Sequence, residues 1–143
     1  MYDRILIEEA SNKYGSQAVV ISIDTYDNGK WFSPYVLNGK IKIDFSIKSW
    51  AQAAEKSGAG EILLTSINFN GLQKGYDEEL YKIYKEVKIP IIINGGCGEP
   101  QHMIEAIKAG ASAVAASTMF LFTEHTPRSC AQALHAAGVP VRL

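Results

Sequence analysis

The chain has 143 residues, a formal net charge of −1 and 47% hydrophobic residues, a composition that predicts one globular domain. Lys and Arg form no cluster, which argues against a nucleic-acid or membrane-surface role. Cys97 and Cys130 lack the spacing of a C-x-x-C motif or a metal site, so we expect reduced thiols and no bound metal. No targeting segment follows Met1 and no apolar run is long enough to cross a membrane, which favours a cytoplasmic protein.

The first predicted elements are a helix and a strand. Apolar residues recur at helical spacing over residues 2–14, and Gly15 ends the pattern. The β-branched run over residues 18–23 predicts a buried strand, and Asp24 follows it directly. Two turn signals come next, and they predict a short inserted hairpin over residues 31–37 and 40–45.

Helices and strands alternate in the rest of the chain. Ser46 can cap one helix, and Asp77 can cap another that has an acidic first turn and Lys85 near its end, as the helix dipole favours. The predicted strands cover residues 61–65, 89–93 and 113–116, and the other predicted helices cover residues 46–57, 100–109 and 126–137.

This alternation predicts a parallel α/β sheet with right-handed crossovers. Residues 58–66 and 109–117 echo each other, since each contains a helix end, a strand and a closing hydroxyl residue, and repeated βα units of this length fit a TIM-type barrel. A complete barrel has eight strands in about 250 residues, whereas this alternating series has four. The predicted fold is therefore a parallel (β/α)4 half-barrel over residues 1–143 with a small β-hairpin insertion, the alternative being a small open α/β sheet.

A glycine-rich turn follows the apolar run over residues 91–93. Gly95, Gly96 and Gly98 permit positive φ and a close approach of a ligand to the backbone. Pro100 suits the first turn of a helix, whose free N–H groups attract anions. This segment is either a phosphate cradle or a plain chain reversal.

Polar residues follow the predicted strands at one edge of the sheet. Asp24 is a candidate acid or base there, with a turn-capping role as the alternative. We expect Ser66, Asn94 and Ser117 at the same edge. Gly71, Gly96 and Ser117 can each offer an N–H group or a hydroxyl to an anion, and residues 115–120 can open a short helix aimed at it.

Other candidate residues fit packing or surface roles better. His102, His125 and His135 have no metal-ligand spacing and are expected at the surface. Cys97 lies inside the glycine turn, where a small packing residue fits better than a nucleophile, because no base stands beside it in the sequence.

Several motifs together resemble the cyclase subunit of imidazole glycerol phosphate synthase, the HisF family. The similarity covers nearly the whole chain and matches only the C-terminal half of that family's barrel. The segments that carry it are residues 15–24, 58–67, Gly75-Tyr76-Asp77, Gly95-Gly96-Cys97-Gly98, 105–117 and 138–143.

The resemblance implies a role for several residues. Asp24 matches the family's second catalytic aspartate, the acid/base for ring closure, and Glu61 matches a charged gate where ammonia from a partner glutaminase enters. The implied phosphate or substrate site comprises Asn70, Gly71, Gly95, Gly96, Ala116 and Ser117. The implied reaction, in histidine biosynthesis, uses the ammonia to cleave a bisphosphorylated nucleotide and close an imidazole, without a cofactor.

The loop after the second alternating strand departs from the family pattern. The family usually has Ile-Asp-x-Asp-Gly-Thr, where this chain has Asn68, Asn70 and Leu72 in place of the two carboxylates and the threonine. An amide cannot carry a charge or move a proton at neutral pH. Three alternatives follow: a HisF-type synthase subunit, a relative that amidates a surface-polysaccharide sugar, and a self-associating half-barrel without turnover. A half-barrel exposes two sheet edges and an apolar face, which predicts a homodimer.

Overall fold

The structure, a computed structural model, describes residues 4–29, 31–80 and 87–143. A 3₁₀ turn at Ser16–Ala18 joins the first helix to the first strand. In chain order the helices and strands are α1 (Arg4–Tyr14), β1 (Val20–Asp27), β2 (Phe32–Val36), β3 (Ile41–Lys42), α2 (Ile47–Lys56), β4 (Glu61–Ser66), β5 (Ile91–Asn94), α3 (Pro100–Lys108), β6 (Ala113–Ala115), α4 (Thr118–Phe122) and α5 (Pro127–Ala136).

The six strands form one sheet in the order β3-β2-β1-β4-β5-β6. β1, β4, β5 and β6 pair in parallel, while β2 and β3 add an antiparallel hairpin beside β1. Among the described residues the sheet does not close on itself. The predicted α/β half-barrel of four βα units with a hairpin insertion is therefore confirmed.

The two faces of the parallel sheet differ in burial because successive side chains of a strand point to opposite faces. Ile23, Leu64 and Ile93 lie in register on the outer face, where they are almost fully buried in the main core. Leu63 and Ile92 lie in register on the inner face and remain partly exposed. This inner face is the concave side of the half-barrel, and Asp24 belongs to it.

A second, smaller cluster joins α1 to α2. Ile7 of α1 packs with Ala54 and Ala59, and the partly buried Ile21 of β1 flanks them together with Val19 and Ile89, which precede β1 and β5. α2 begins where predicted, since the Ser46 hydroxyl accepts a hydrogen bond from the Ser49 N–H at 3.0 Å. None of the helices in the described part of the chain combines the length and the apolar character needed to cross a membrane.

The main differences from the predicted boundaries concern β1. The strand starts two residues later than predicted because Ser16–Ala18 form a 3₁₀ turn, and it continues to Asp27 because β2 pairs with its second half. Asp24 therefore lies within β1 and does not follow it. Of the helix predicted after Asp77, only the first residues are described, and Lys85 lies outside the described residues.

Candidate functional site

One row of polar side chains crosses the inner face near the carboxyl ends of the strands. Asp24 pairs in register with Thr65, and Thr65 pairs with Asn94. The Asn94 Nδ2 donates a hydrogen bond to Thr65 Oγ1 at 3.1 Å. Neighbouring strands lie about 4.8 Å apart, so on this face Asp24 stands one strand away from Thr65 and two strands away from Asn94. Asp24 is partly exposed and, among the described residues, its carboxylate has no hydrogen-bond or ion-pair partner.

Ser66 does not join this row, contrary to the sequence-based expectation. It follows Thr65 in the same strand, so its side chain lies on the opposite face of the sheet. Its hydroxyl is fully buried and donates a hydrogen bond to Asp77 Oδ2 at 3.0 Å. Thr65 takes the position in the inner row that we expected for Ser66.

The segment Gly75-Tyr76-Asp77 holds the loop after β4 against three strand ends. The Gly75 N–H donates to Gly96 O at 3.0 Å, and the Tyr76 hydroxyl donates to Ala115 O at 2.9 Å. The Asp77 carboxylate accepts the hydrogen bond from Ser66 on β4. These three contacts fix the loop relative to β4, to β6 and to the turn after β5.

The glycine turn after β5 is packed too closely for larger residues. A Cβ added to Gly96 would overlap the carbonyl oxygen of Gly75, and Gly96 has a φ of 103°. A Cβ added to Gly98 would overlap the carbonyl oxygen of Gln73. The backbone N–H groups of Gly96 and Cys97 have no acceptor within the described ranges, so they can bind an anion.

His102 shapes this turn, a role that sequence reasoning missed. Its ring is only 16% exposed rather than lying at the surface, and Nδ1 accepts a hydrogen bond from the Gly98 N–H at 3.1 Å. Nδ1 must be unprotonated to accept that hydrogen bond. Because His102 uses the Gly98 N–H, this N–H is not available to a ligand. The sequence signal is a histidine in the first turn of α3, four residues after the last glycine.

The residues after β6 lie beside the glycine turn. Ala115 pairs with Asn94, so Ala116 and Ser117 leave β6 next to the point where Gly95 leaves β5. Ser117 precedes α4, and its side chain makes no capping hydrogen bond. Its exposed hydroxyl therefore remains available to a ligand.

The other predicted site residues lie further apart. Asn70 and Gly71 occupy the exposed tip of the loop after β4, and a Cβ added to Gly71 would meet no atom within 4 Å. Glu61 begins β4 on the same face as Thr65, four residues earlier, which places it about 13 Å along the strand. Asp24 and Glu61 therefore mark opposite ends of the inner face.

Neither cysteine resembles a nucleophile. Cys97 and Cys130 are buried free thiols, and burial raises the pKa of both. The Cys97 Sγ lies 3.3 Å from the Met119 Sδ, as expected for a packing residue. Over residues 4–29, 31–80 and 87–143, no group of three His, Cys, Asp or Glu residues could hold a metal ion.

Comparison with known proteins identifies the family. A family model described as "Histidine biosynthesis protein" matches residues 1–126. This chain belongs to that family. It is 41% identical over 139 residues to the imidazole glycerol phosphate synthase subunit HisF of Thermococcus onnurineus, covering 96% of this chain and 55% of that protein. It is 40% identical over 141 residues to the HisF subunit of Campylobacter concisus, covering 99% and 56% respectively. The chain thus spans about half the length of the curated relatives it matches.

The close packing of the glycine turn predicts unequal effects of two alanine substitutions. Gly71→Ala should lower the free energy of unfolding by about 1 kcal/mol, because the positive φ is strained but space is free. Gly96→Ala should cost at least about 2 kcal/mol more, because its Cβ also overlaps Gly75. Urea unfolding of both variants measures the difference, and equal losses would contradict this description of the turn.

Asp77 should give the protein a distinctive pH dependence. Burial, the largest effect, raises its pKa above the ordinary value of 3.8, so the folded state binds its proton more tightly than the unfolded state does. The free energy of unfolding of the parent, relative to Asp77→Asn, should therefore fall as pH rises from 3.8 through the raised pKa and then stay level. Urea unfolding of the two proteins over a pH series tests this expectation. Parallel stability curves would contradict it.

Proposed function

We propose that this chain forms one half of the barrel of a cyclase-type subunit of imidazole glycerol phosphate synthase, and that it acts in histidine biosynthesis. Its reaction is the ammonia-dependent cleavage of a bisphosphorylated nucleotide with closure of an imidazole ring. The observation that carries the proposal is the inner face itself, where Asp24 stands in one row with Thr65 and Asn94. The names of the matching relatives support the coarser statement, a subunit of imidazole glycerol phosphate synthase.

Asp24 is the acid/base of the proposed reaction. Its carboxylate is partly exposed on the concave face and is not engaged by the described side chains, so it is accessible to a substrate bound there. A carboxylate in this position can take a proton from one substrate atom and return it to another during ring closure. The Thr65 hydroxyl and the Asn94 amide, next in the row, can orient the substrate by hydrogen bonding.

One phosphate of the substrate binds where the ends of β5 and β6 meet. The N–H groups of Gly96 and Cys97 have no acceptor among the described residues, and the Ser117 hydroxyl is exposed beside them. Gly95 and Ala116 supply the adjoining backbone, while Asn70 and Gly71 can approach from the exposed loop. Such N–H groups bind phosphate without requiring a basic side chain.

Ammonia enters at the opposite end of the inner face, beside Glu61. Between Glu61 and Asp24 the face carries Leu63 and Ile92 in register, so the route between the two carboxylates is lined in part by apolar side chains. A neutral molecule such as ammonia crosses such a surface more easily than an ion does. The partner that supplies the ammonia is a glutaminase subunit, which docks at the Glu61 end.

A second copy of the chain completes the site. Within the described ranges the inner face is open and the first half of β1 lacks a pairing strand on the hairpin side, where Val20 is 48% exposed. Pairing of two half-barrels would cover these edges and supply two copies of Asp24.

Asp24 has a matched control in Asp44, an exposed aspartate that follows the hairpin. Asp24→Asn should lower the ammonium-dependent turnover of the bisphosphorylated nucleotide by about 100-fold or more, because the amide cannot transfer a proton at neutral pH. Asp44→Asn should keep the parent rate. Product formation, followed by absorbance or chromatography, measures both rates. An Asp24→Asn variant as fast as the parent would exclude the assigned role.

Self-association is tested separately, because it can fail while the role of Asp24 stands. The parent chain should scatter light as a dimer or a larger species at micromolar concentration, since the open face and edges favour pairing. A uniform monomer under these conditions would rule out the two-copy barrel.

A further inference from the structure

The side chain of Asn68 joins the loop after β4 to the end of β1. The Asp27 N–H donates to Asn68 Oδ1 at 2.7 Å, and Asn68 Nδ2 donates to Asp27 O at 2.8 Å. One amide therefore satisfies both backbone groups of a residue 41 positions away. Both donor–acceptor distances lie at the short end of the usual range for N–H···O hydrogen bonds.

Asn68 continues the sheet after the backbone of β4 has turned away. The Ile67 N–H still donates to Thr25 O at 2.8 Å, in line with the parallel pairing of β1 and β4. The next bonds are made by the Asn68 side chain and not by backbone. The amide thus replaces a strand residue, and it adds one more paired position to the end of β1.

We propose that Asn68 is a positioning residue that orders the loop carrying Asn70 and Gly71, and that this role requires a neutral amide. The inference rests on the proposed function in one respect, because that loop forms part of the proposed phosphate site. Asn68 fixes the start of the loop to β1, while Gly75 fixes its end to the turn after β5. Between these two points, Asn70 and Gly71 are exposed.

An ionised carboxylate could make only one of these two hydrogen bonds. It can accept the Asp27 N–H, but its second oxygen would face the Asp27 carbonyl oxygen with no proton between them. Two acidic groups are already close by, since the Asp27 carboxylate caps its own turn through the Gly29 N–H and its charge contributes to the raised pKa of Asp77. A third negative charge would add repulsion. The two hydrogen bonds therefore give a structural reason for an amide at position 68.

The test compares Asn68→Asp with Asn38→Asp, which introduces the same charge at an exposed turn position where aspartate is tolerated. At pH 7, Asn68→Asp should lower the folding equilibrium constant about tenfold or more, while Asn38→Asp should leave it nearly unchanged. The deficit of Asn68→Asp should shrink as pH falls, because a protonated carboxyl can donate to the Asp27 carbonyl as the amide does. Urea unfolding over a pH series measures these changes.

Two results would overturn the proposal. One is an Asn68→Asp variant as stable as Asn38→Asp at pH 7, and the other is a deficit that does not change with pH. A variant that is unfolded at pH 7 but folds in acid would support it. Asn68→Ala, which removes both hydrogen bonds without adding charge, should increase hydrogen exchange at the Asp27 N–H, and unchanged protection there would also contradict the proposed role.

Inorganic phosphate separates this proposal from the proposed function. Phosphate should raise the Tm of the parent and of Asn38→Asp, and should raise that of Asn68→Asp by less, because the binding loop is less ordered. An equal shift in all three proteins would overturn the positioning role. Millimolar phosphate could leave the Tm of all three proteins unchanged while the pH-dependent stability deficit of Asn68→Asp persists. That result would show that the phosphate site is wrong, and it would support the hydrogen bonding of Asn68 to the end of β1.

Discussion

Parallel pairing of β1, β4 and β5 in a fixed register brings Asp24, Thr65 and Asn94 into one row, and the candidate site depends on that register. A shift of one residue would exchange the two faces of a strand, placing Ser66 in the row and Thr65 in the core. The register is held from the outer face, where Ile23, Leu64 and Ile93 are almost completely buried. The same apolar packing that stabilises the sheet therefore determines which polar groups face a ligand.

The loops above this row are held by contacts that involve main-chain groups. Gly75 donates to Gly96, Tyr76 donates to the carbonyl of Ala115, and His102 occupies the Gly98 N–H. Each of these contacts satisfies a backbone group that would otherwise be left without a partner in a tightly packed turn, which is costly in a protein interior. In the described part of the chain, the N–H groups of Gly96 and Cys97 have no such partner, and we propose them as phosphate ligands. A site built this way needs no basic side chain, in keeping with the near-neutral charge of the chain.

Much of this organisation could be predicted from the sequence. The alternation of apolar runs and helical patterns indicates the four βα units, and the turn signals indicate the hairpin after β1. The position of Ser66 could not be predicted, because adjacent residues of a strand face opposite sides and only the register decides which is which. The contacts of Asn68 with Asp27 and of His102 with Gly98 also escape sequence reasoning. The first joins residues that are distant in sequence, and the second depends on the path of a glycine turn.

The exposure of the inner face limits what a single copy of the half-barrel can do. Leu63 and Ile92 lie between the two ends of this face and are partly open to solvent, and Asp24 is partly exposed as well. A carboxylate in contact with water is screened, and an ammonia molecule on an open surface escapes or becomes protonated before it reaches the substrate. Closing the concave side excludes water and strengthens every polar interaction along the row. The proposed acid/base role of Asp24 and the proposed association of this face with a second half-barrel are therefore linked, because the proposed chemistry requires an enclosed site and the inner face of this chain supplies one wall for it.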